Sequence, residues 1–205
     1  MSVAERKQIW RRAYLASRAA RRIAHSRLPL TLQDIRQIIQ AIPRSATIAG
    51  YLPLSSEVDV LPLLREWVEG GGAALVPTPA ALASGGRSSP QWQHLSCQDG
   101  GGGCEEQAPE RASGTGDEPP LGVLSEAALI LIPGLIFGRD GRRLGRGAGW
   151  YDRALSQATQ GAILVGVCHA GELVEAMRVP IEEHDRLMDF VLTPTELVIC
   201  RRPNL

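Results

Sequence analysis

Apolar positions along this chain fall into blocks of different period. Residues 3–25 contain no proline or glycine and set Ile9, Ala13, Ala16 and Ala20 at helical spacing among arginines, which predicts a long first helix. Leu28-Pro29 ends it, and Thr31 reads as the N-cap of a second helix closing at Ile42, before Pro43. Residues 47–54 read as a buried strand, 56–69 as a helix despite Pro62, Gly70 to Gly72 as its stop, and 73–77 as the next strand, together a βαβ unit. Residues 127–133 are almost wholly apolar, as a central parallel strand requires. A glycine-arginine loop at 138–149 leads to a helix near Trp150, residues 162–168 form another buried strand, and 190–193 and 197–200 form short closing strands. Strands alternating with helices predict an α/β fold: an open, mostly parallel Rossmann-like sheet flanked by helices in three α/β/α layers. Its ligands belong outside the carboxyl ends of the strands.

Between 83 and 120 both periods vanish. Eight glycines and four prolines, with few apolar residues apart from Trp92 and Leu95, predict a flexible insertion in what is otherwise a single domain over 1–205. Hydrophobic residues are 44% and charged residues 21%, ordinary globular usage. No apolar run approaches the ~20 residues that cross a bilayer, and the N-terminus has no hydrophobic signal core, so a soluble, cytoplasmic protein without a membrane partner is expected. Lys+Arg 22 equals Asp+Glu 22, which leaves no global basic field for nucleic acid. The balance is nevertheless uneven: residues 1–27 are arginine-rich, residues 98–118 are acidic, and Lys7 is the only lysine. Cys97, Cys104, Cys168 and Cys200 form no CxxC pair and are expected as reduced thiols, while His94, Cys97 and Cys104 match no familiar zinc spacing.

The most informative stretch runs from Pro133 to Asp152. Gly145, Gly147 and Gly149 alternate just before a helix and allow close backbone approach to an anion, while Arg142, Arg143 and Arg146 supply charge and forked donors. A phosphate suits that environment, although the spacing is neither a Walker A loop nor a dinucleotide fingerprint. The alternative is a solvated turn that needs glycine for tight geometry. Asp152 and Asp185 fit magnesium bound with a nucleotide, which takes only one or two protein carboxylates; helix-dipole stabilisation and a loop salt bridge explain them equally well. Glu57, after a strand, can accept hydrogen bonds from the N–H groups of a heterocycle or simply serve the first turn of a helix. Trp150 and Tyr151 can stack on a flat ligand or pack into the core. Lys7 and Arg11, at i and i+4, share a helix face and repel unless an anion lies near them. His184 reads as a structural hydrogen-bonding residue.

These residues resemble the 5-formyltetrahydrofolate cyclo-ligase family. The likeness rests on Lys7-Gln-Ile-Trp-Arg11, on residues 48–57, on 129–153, which is similar to the family's PGLxFDxxGxRLGxGxGYYDR run, and on 180–193. Four features depart from it. Gly138 replaces an aspartate, Trp150 replaces the first of two tyrosines, Glu172 stands near a common glutamine, and the family's substrate-contacting methionine and aromatic segment has no recognisable equivalent in 83–120. The resemblance implies an enzyme, a C–N-bond-forming ligase that uses ATP and Mg2+ to cyclise 5-formyltetrahydrofolate to 5,10-methenyltetrahydrofolate, releasing ADP and phosphate. It further implies that Lys7, Arg11 and the run Arg143, Leu144, Gly145, Arg146, Gly147, Ala148, Gly149, Trp150 and Tyr151 contact ATP. Leu52 and Glu57 would line the pterin side, Arg146 to Trp150 would lie between nucleotide and folate, Asp152 and Asp185 would hold the metal, and Arg146 would be the catalytic charge stabiliser. A monomer acting on a small molecule, with no nucleic-acid partner, is expected. Two competing readings are a diverged paralogue that binds nucleotide or RNA through the basic first helix without cyclo-ligase activity, and a sugar-phosphate enzyme on a related scaffold.

Overall fold

A computed structural model describes residues 1–21, 30–31, 33–83, 88–95, 121–183 and 185–201. Among these, eight strands form one sheet in the order β11-β10-β8-β5-β1-β2-β3-β4. They are β1 (Thr47–Ala49), β2 (Ala73–Pro77), β3 (Trp92–His94), β4 (Leu121–Gly122), β5 (Ala127–Pro133), β8 (Ile163–Val167), β10 (Phe190–Leu192) and β11 (Leu197–Ile199). The five strands from β10 to β2 pair in parallel, and the edges turn antiparallel at β11, β3 and β4. The central strand β5 owes its place to its composition. Leu129 and Leu131 pack into one core cluster, Ile130 and Ile132 into the other, so both faces of the strand are covered.

On the first face lie α2 (Arg36–Ile39) and α3 (Leu61–Glu69), which contribute Ile38, Leu63, Leu64 and Trp67. On the second lies α5 (Trp150–Leu155), with Trp150, Ala154 and Leu155. The fold is therefore the expected three-layer α/β arrangement. A second, three-stranded sheet, β7-β6-β9, combines β6 (Ile136–Gly138), β7 (Arg143–Leu144) and β9 (Leu173–Val174). Phe137 of β6 is fully buried and belongs to the second cluster, where it joins the small sheet to the large one. The first helix, α1 (Val3–Arg21), packs Trp10 and Tyr14 against Ile136, Leu144 and Val179 beside the small sheet. Among the described residues no helix is long and apolar enough to cross a membrane.

Several expectations change in detail. The helix expected from Thr31 shrinks to Arg36–Ile39, because the Thr31 backbone N–H and hydroxyl both donate to Asp34 in a local turn, at 2.7 and 3.0 Å. The helix expected from residue 56 starts at Leu61 and puts Pro62 in its first turn, where a missing N–H has no intrahelical partner to lose. The strand expected over 47–54 leaves the sheet after Ala49, and the residues beyond turn toward the cleft described below. Inside 83–120, Trp92–His94 is an antiparallel strand on β2, since Trp92 is a large apolar side chain that gains by burial against Trp150. Residues 84–87 and 96–120 of that segment lie outside the described residues. The short helix α4 (Pro79–Ala83) has no counterpart in the sequence reading.

Gly166 on β8 faces the Phe137 ring so closely that a Cβ there would overlap it. Gly166→Ala is therefore expected to lower unfolding free energy by about 1–3 kcal/mol, the usual cost of overpacking, as measured by urea denaturation. An unchanged midpoint would show that the two sheets are not held by this contact.

Candidate active site

At the carboxyl ends of β1 and β5 the chain leaves the sheet and encloses an open cavity of about 440 Å³. Tyr51, Leu52, Leu54 and Glu57 reach it from the segment after β1, and Pro133 and Gly134 from the end of β5. The turn 143–152 supplies a third wall, Glu182 and Asp185 a fourth, and Lys7 and Arg11 of α1 complete it. The expected Lys7, Arg11, Leu52, Glu57, Arg143 through Asp152, and Asp185 all line this cavity, whereas Arg142 does not and turns instead to Asp140 at 3.0 Å and the Val179 carbonyl at 3.3 Å.

Lys7 is almost wholly buried, and its Nζ donates to Glu182 Oε2 at 2.7 Å and Asp185 Oδ2 at 2.6 Å. Burial lowers its pKa, but hydrogen bonds to the two carboxylates outweigh that effect and hold it above its ordinary value of 10.5. The stabilisation from this pairing is thus complete below the unfolded pKa and is lost only as pH rises through the higher folded value. Arg11 Nε donates to the Gly145 carbonyl at 3.1 Å and flanks Gly147. Arg143 pairs with Asp152, donates to the Pro133 carbonyl at 3.4 Å and lies 6.0 Å from the centre of the Tyr151 ring. Arg146 is exposed and makes no hydrogen bond or ion pair among the described residues. Its guanidinium is available to an anion in the cleft.

The backbone of the turn requires glycine at two positions. Gly147 has φ 106° and Gly149 φ 67°, both in the left-handed region that side chains avoid. Trp150 has its ring in the core, 5.3 Å from Trp92 and 4.7 Å from Tyr151, so the packing alternative holds for the ring, and only a small part of the residue borders the cavity.

Among the described residues no three His, Cys, Asp or Glu side chains gather as a metal cluster. Asp152 and Asp185 offer hard oxygen donors in the same cavity, which fits a magnesium ion that takes one or two carboxylates and completes its shell with phosphate and water, and does not fit a closed zinc site. Cys97, Cys104 and His184 lie outside the described residues. Cys168 is a buried free thiol and Cys200 a half-buried one, and burial pushes the Cys200 thiol up to about 11.

Three residues near the cavity escaped the sequence reading. Glu182 shares Lys7 with Asp185. Arg18 and Glu172 form a buried pair behind Gly134, with Arg18 Nε 2.6 Å from Glu172 Oε1 and Nη2 2.7 Å from Oε2. Arg18 repeats the face of Lys7 and Arg11 three helical turns beyond Lys7, a spacing that would have flagged it.

Fold and cleft together define an α/β protein with a cation- and glycine-lined cavity at the carboxyl end of its sheet. A profile of the 5-formyltetrahydrofolate cyclo-ligase family matches residues 4–194, and the chain belongs to that family. The 5-formyltetrahydrofolate cyclo-ligase of Mycolicibacterium smegmatis is 33% identical over 159 residues, 76% of this chain and 77% of that protein. The Escherichia coli cyclo-ligase is 29% identical over 160 residues, 74% and 79% of the two chains. The solved 5,10-methenyltetrahydrofolate synthetase of Aquifex aeolicus shares the fold with a TM-score of 0.64 at 23% identity, covering 97% of this chain and 95% of that one.

The turn geometry makes a test of its own. Gly147→Ala forces a side chain into the left-handed region and is expected to cost about 1–2 kcal/mol of stability. Gly145→Ala has no such backbone penalty, since its Cβ would meet only the Arg143 side chain at 3.1 Å. Thermal melts that rank the two variants equally would remove the conformational reason for glycine at 147.

Proposed function

We propose that this enzyme uses ATP and Mg2+ to convert 5-formyltetrahydrofolate to 5,10-methenyltetrahydrofolate, with ADP and phosphate as the other products. One observation carries the reading: phosphate-seeking cations, a glycine turn, two oxygen donors suited to magnesium and the carboxylate of Glu57 share a single cavity. It works as a monomeric, single-domain cytoplasmic enzyme on small molecules, without nucleic acid or membrane as partner.

A formamide oxygen is a poor leaving group. Transfer of the γ-phosphoryl group to that oxygen turns it into a phosphate ester, after which N10 attacks the formyl carbon, the C–O bond to phosphate breaks and N10 gives up its proton as the ring closes. The protein needs no covalent nucleophile for this. Phosphoryl transfer is served by positioning and charge neutralisation. Lys7, Arg11 and the turn from Arg143 to Tyr151 bind the phosphates, with Arg146, the unpaired guanidinium, on the transferring group. Asp152 and Asp185 would hold magnesium, which supplies further neutralisation of phosphate charge; Arg143, the partner of Asp152 in the present structure, is then able to turn to phosphate, while Lys7 keeps Glu182. Leu52 borders the pterin, Glu57 accepts its N–H donors, and Arg146 to Trp150 lie between the two substrates.

The assay is the absorbance of methenyltetrahydrofolate as it forms. Product is expected only when ATP, magnesium and the folate are all present; ATP-independent formation, or none in the complete mixture, overturns the reading. Arg146→Ala is expected to lower kcat at least tenfold at saturating substrate, ~1.4 kcal/mol of transition-state stabilisation. An unchanged kcat would remove Arg146 from that role while leaving the reaction in place.

A further inference from the structure

Behind the cavity wall, Arg18 is only 4% exposed, Glu57 7% and Glu172 0%. A guanidinium has five N–H donors in a rigid fork. Three of these have acceptors: Nε donates to Glu172 Oε1 at 2.6 Å, and Nη2 donates to Glu172 Oε2 at 2.7 Å and to the Gly134 carbonyl at 2.5 Å. Among the described residues Nη1 has none, and the Glu57 Oε1 stands 3.7 Å from it. Glu57 itself is tied on its other oxygen, where Oε2 accepts the Leu54 N–H at 3.0 Å, and it lines the cavity. Buried donors without an acceptor are rare and call for an explanation.

We propose that Arg18, locked in plane by Glu172, is a positioning residue for Glu57: it supplies the counter-charge of that carboxylate and fixes its orientation, so that the subsite accepts only a ligand edge presenting N–H donors. The inference rests on the function proposed above and deepens it, because such an edge is what the amino and ring N–H groups of a pterin offer. The bidentate grip of Glu172 leaves Nη1 one direction to face, and Glu57 lies in it. Two buried carboxylates and one guanidinium form a unit, so exchanging Arg18 alone for an apolar residue would leave both carboxylates without a cation and threaten folding. A neutral exchange of both partners removes the Glu172 charge together with the guanidinium and leaves Glu57 alone to lose its counter-charge.

The test compares wild type, Arg18→Gln/Glu172→Gln and Arg18→Lys in thermal melts, in titrations with 5-formyltetrahydrofolate and with ATP, and in steady-state kinetics. In the folded double variant the folate Kd and KM are expected to rise about tenfold or more, while kcat and the ATP Kd stay within about threefold. Arg18→Lys keeps the charge without the fork and is expected to raise the folate KM by a smaller factor, again with ATP binding unchanged. A folded double variant that binds the folate as wild type does overturns the proposal, as does a parallel loss of folate and ATP binding, which would mark a merely structural role. Should the double variant fail to fold, Arg18→Lys decides on the same readout, and an unaltered folate KM overturns the proposal. A wild-type protein that binds no folate sinks the cyclo-ligase reading itself, a distinct result from a variant indistinguishable from a binding-competent wild type.

Discussion

The docking of α1 by one stripe of cations is the constraint on which the cleft depends. The helix is rich in arginine and offers little apolar surface beyond Trp10 and Tyr14, so hydrophobic burial alone does not fix it. Lys7 reaches Glu182 and Asp185, Arg11 reaches the Gly145 carbonyl, and Arg18 reaches Glu172 and the Gly134 carbonyl. These partners come from the turns after β5, β7, β8 and β9, segments far apart in sequence from α1 that it draws into one wall. Removing one member of a buried pair of this kind costs ~3–5 kcal/mol, because the other charge stays buried. Arg146, exposed and without a hydrogen bond or ion pair among the described residues, takes no part in holding that wall together, in contrast to Lys7.

What was legible in the sequence was whatever leaves a local trace. An unbroken apolar run such as 127–133 has few fates other than a strand covered on both faces, and β5 is that strand. Alternating glycines just before a helix mark a turn of tight geometry, and Gly147 and Gly149 occupy the left-handed region as such a turn demands. The resemblance carried the remaining site residues, since no local pattern ties Glu57 or Asp185 to Lys7.

Long-range pairing stayed hidden. The β6–β7 hairpin sits inside a stretch that reads as a loop because each strand is only two or three residues long, and its stability comes from Phe137 and Leu144 packing on elements elsewhere in the chain. Trp92–His94 lies in glycine- and proline-rich surroundings, where a window average swamps three residues whose order comes from β2 and from the Trp150 ring. Arg18 and Glu172 are separated by more than 150 positions, and neither is unusual in its own neighbourhood.

The departures from the family pattern are matched in space. At Gly138, where a similar chain carries an aspartate, a Cβ would run into the Asp140 carboxylate. Asp140 takes up that space instead, pairing with Arg142 Nε at 3.0 Å and accepting the Met177 backbone N–H at 2.8 Å. Trp150, in place of a tyrosine, has Trp92 of β3 beside it. Glu172, near where a glutamine is common in the family, has the guanidinium of Arg18 against its carboxylate. A buried carboxylate is tolerable only with a cation in contact, and the guanidinium that keeps Glu172 in the fold also stands 3.7 Å from Glu57, so folding at this wall sets the charge beside the cavity.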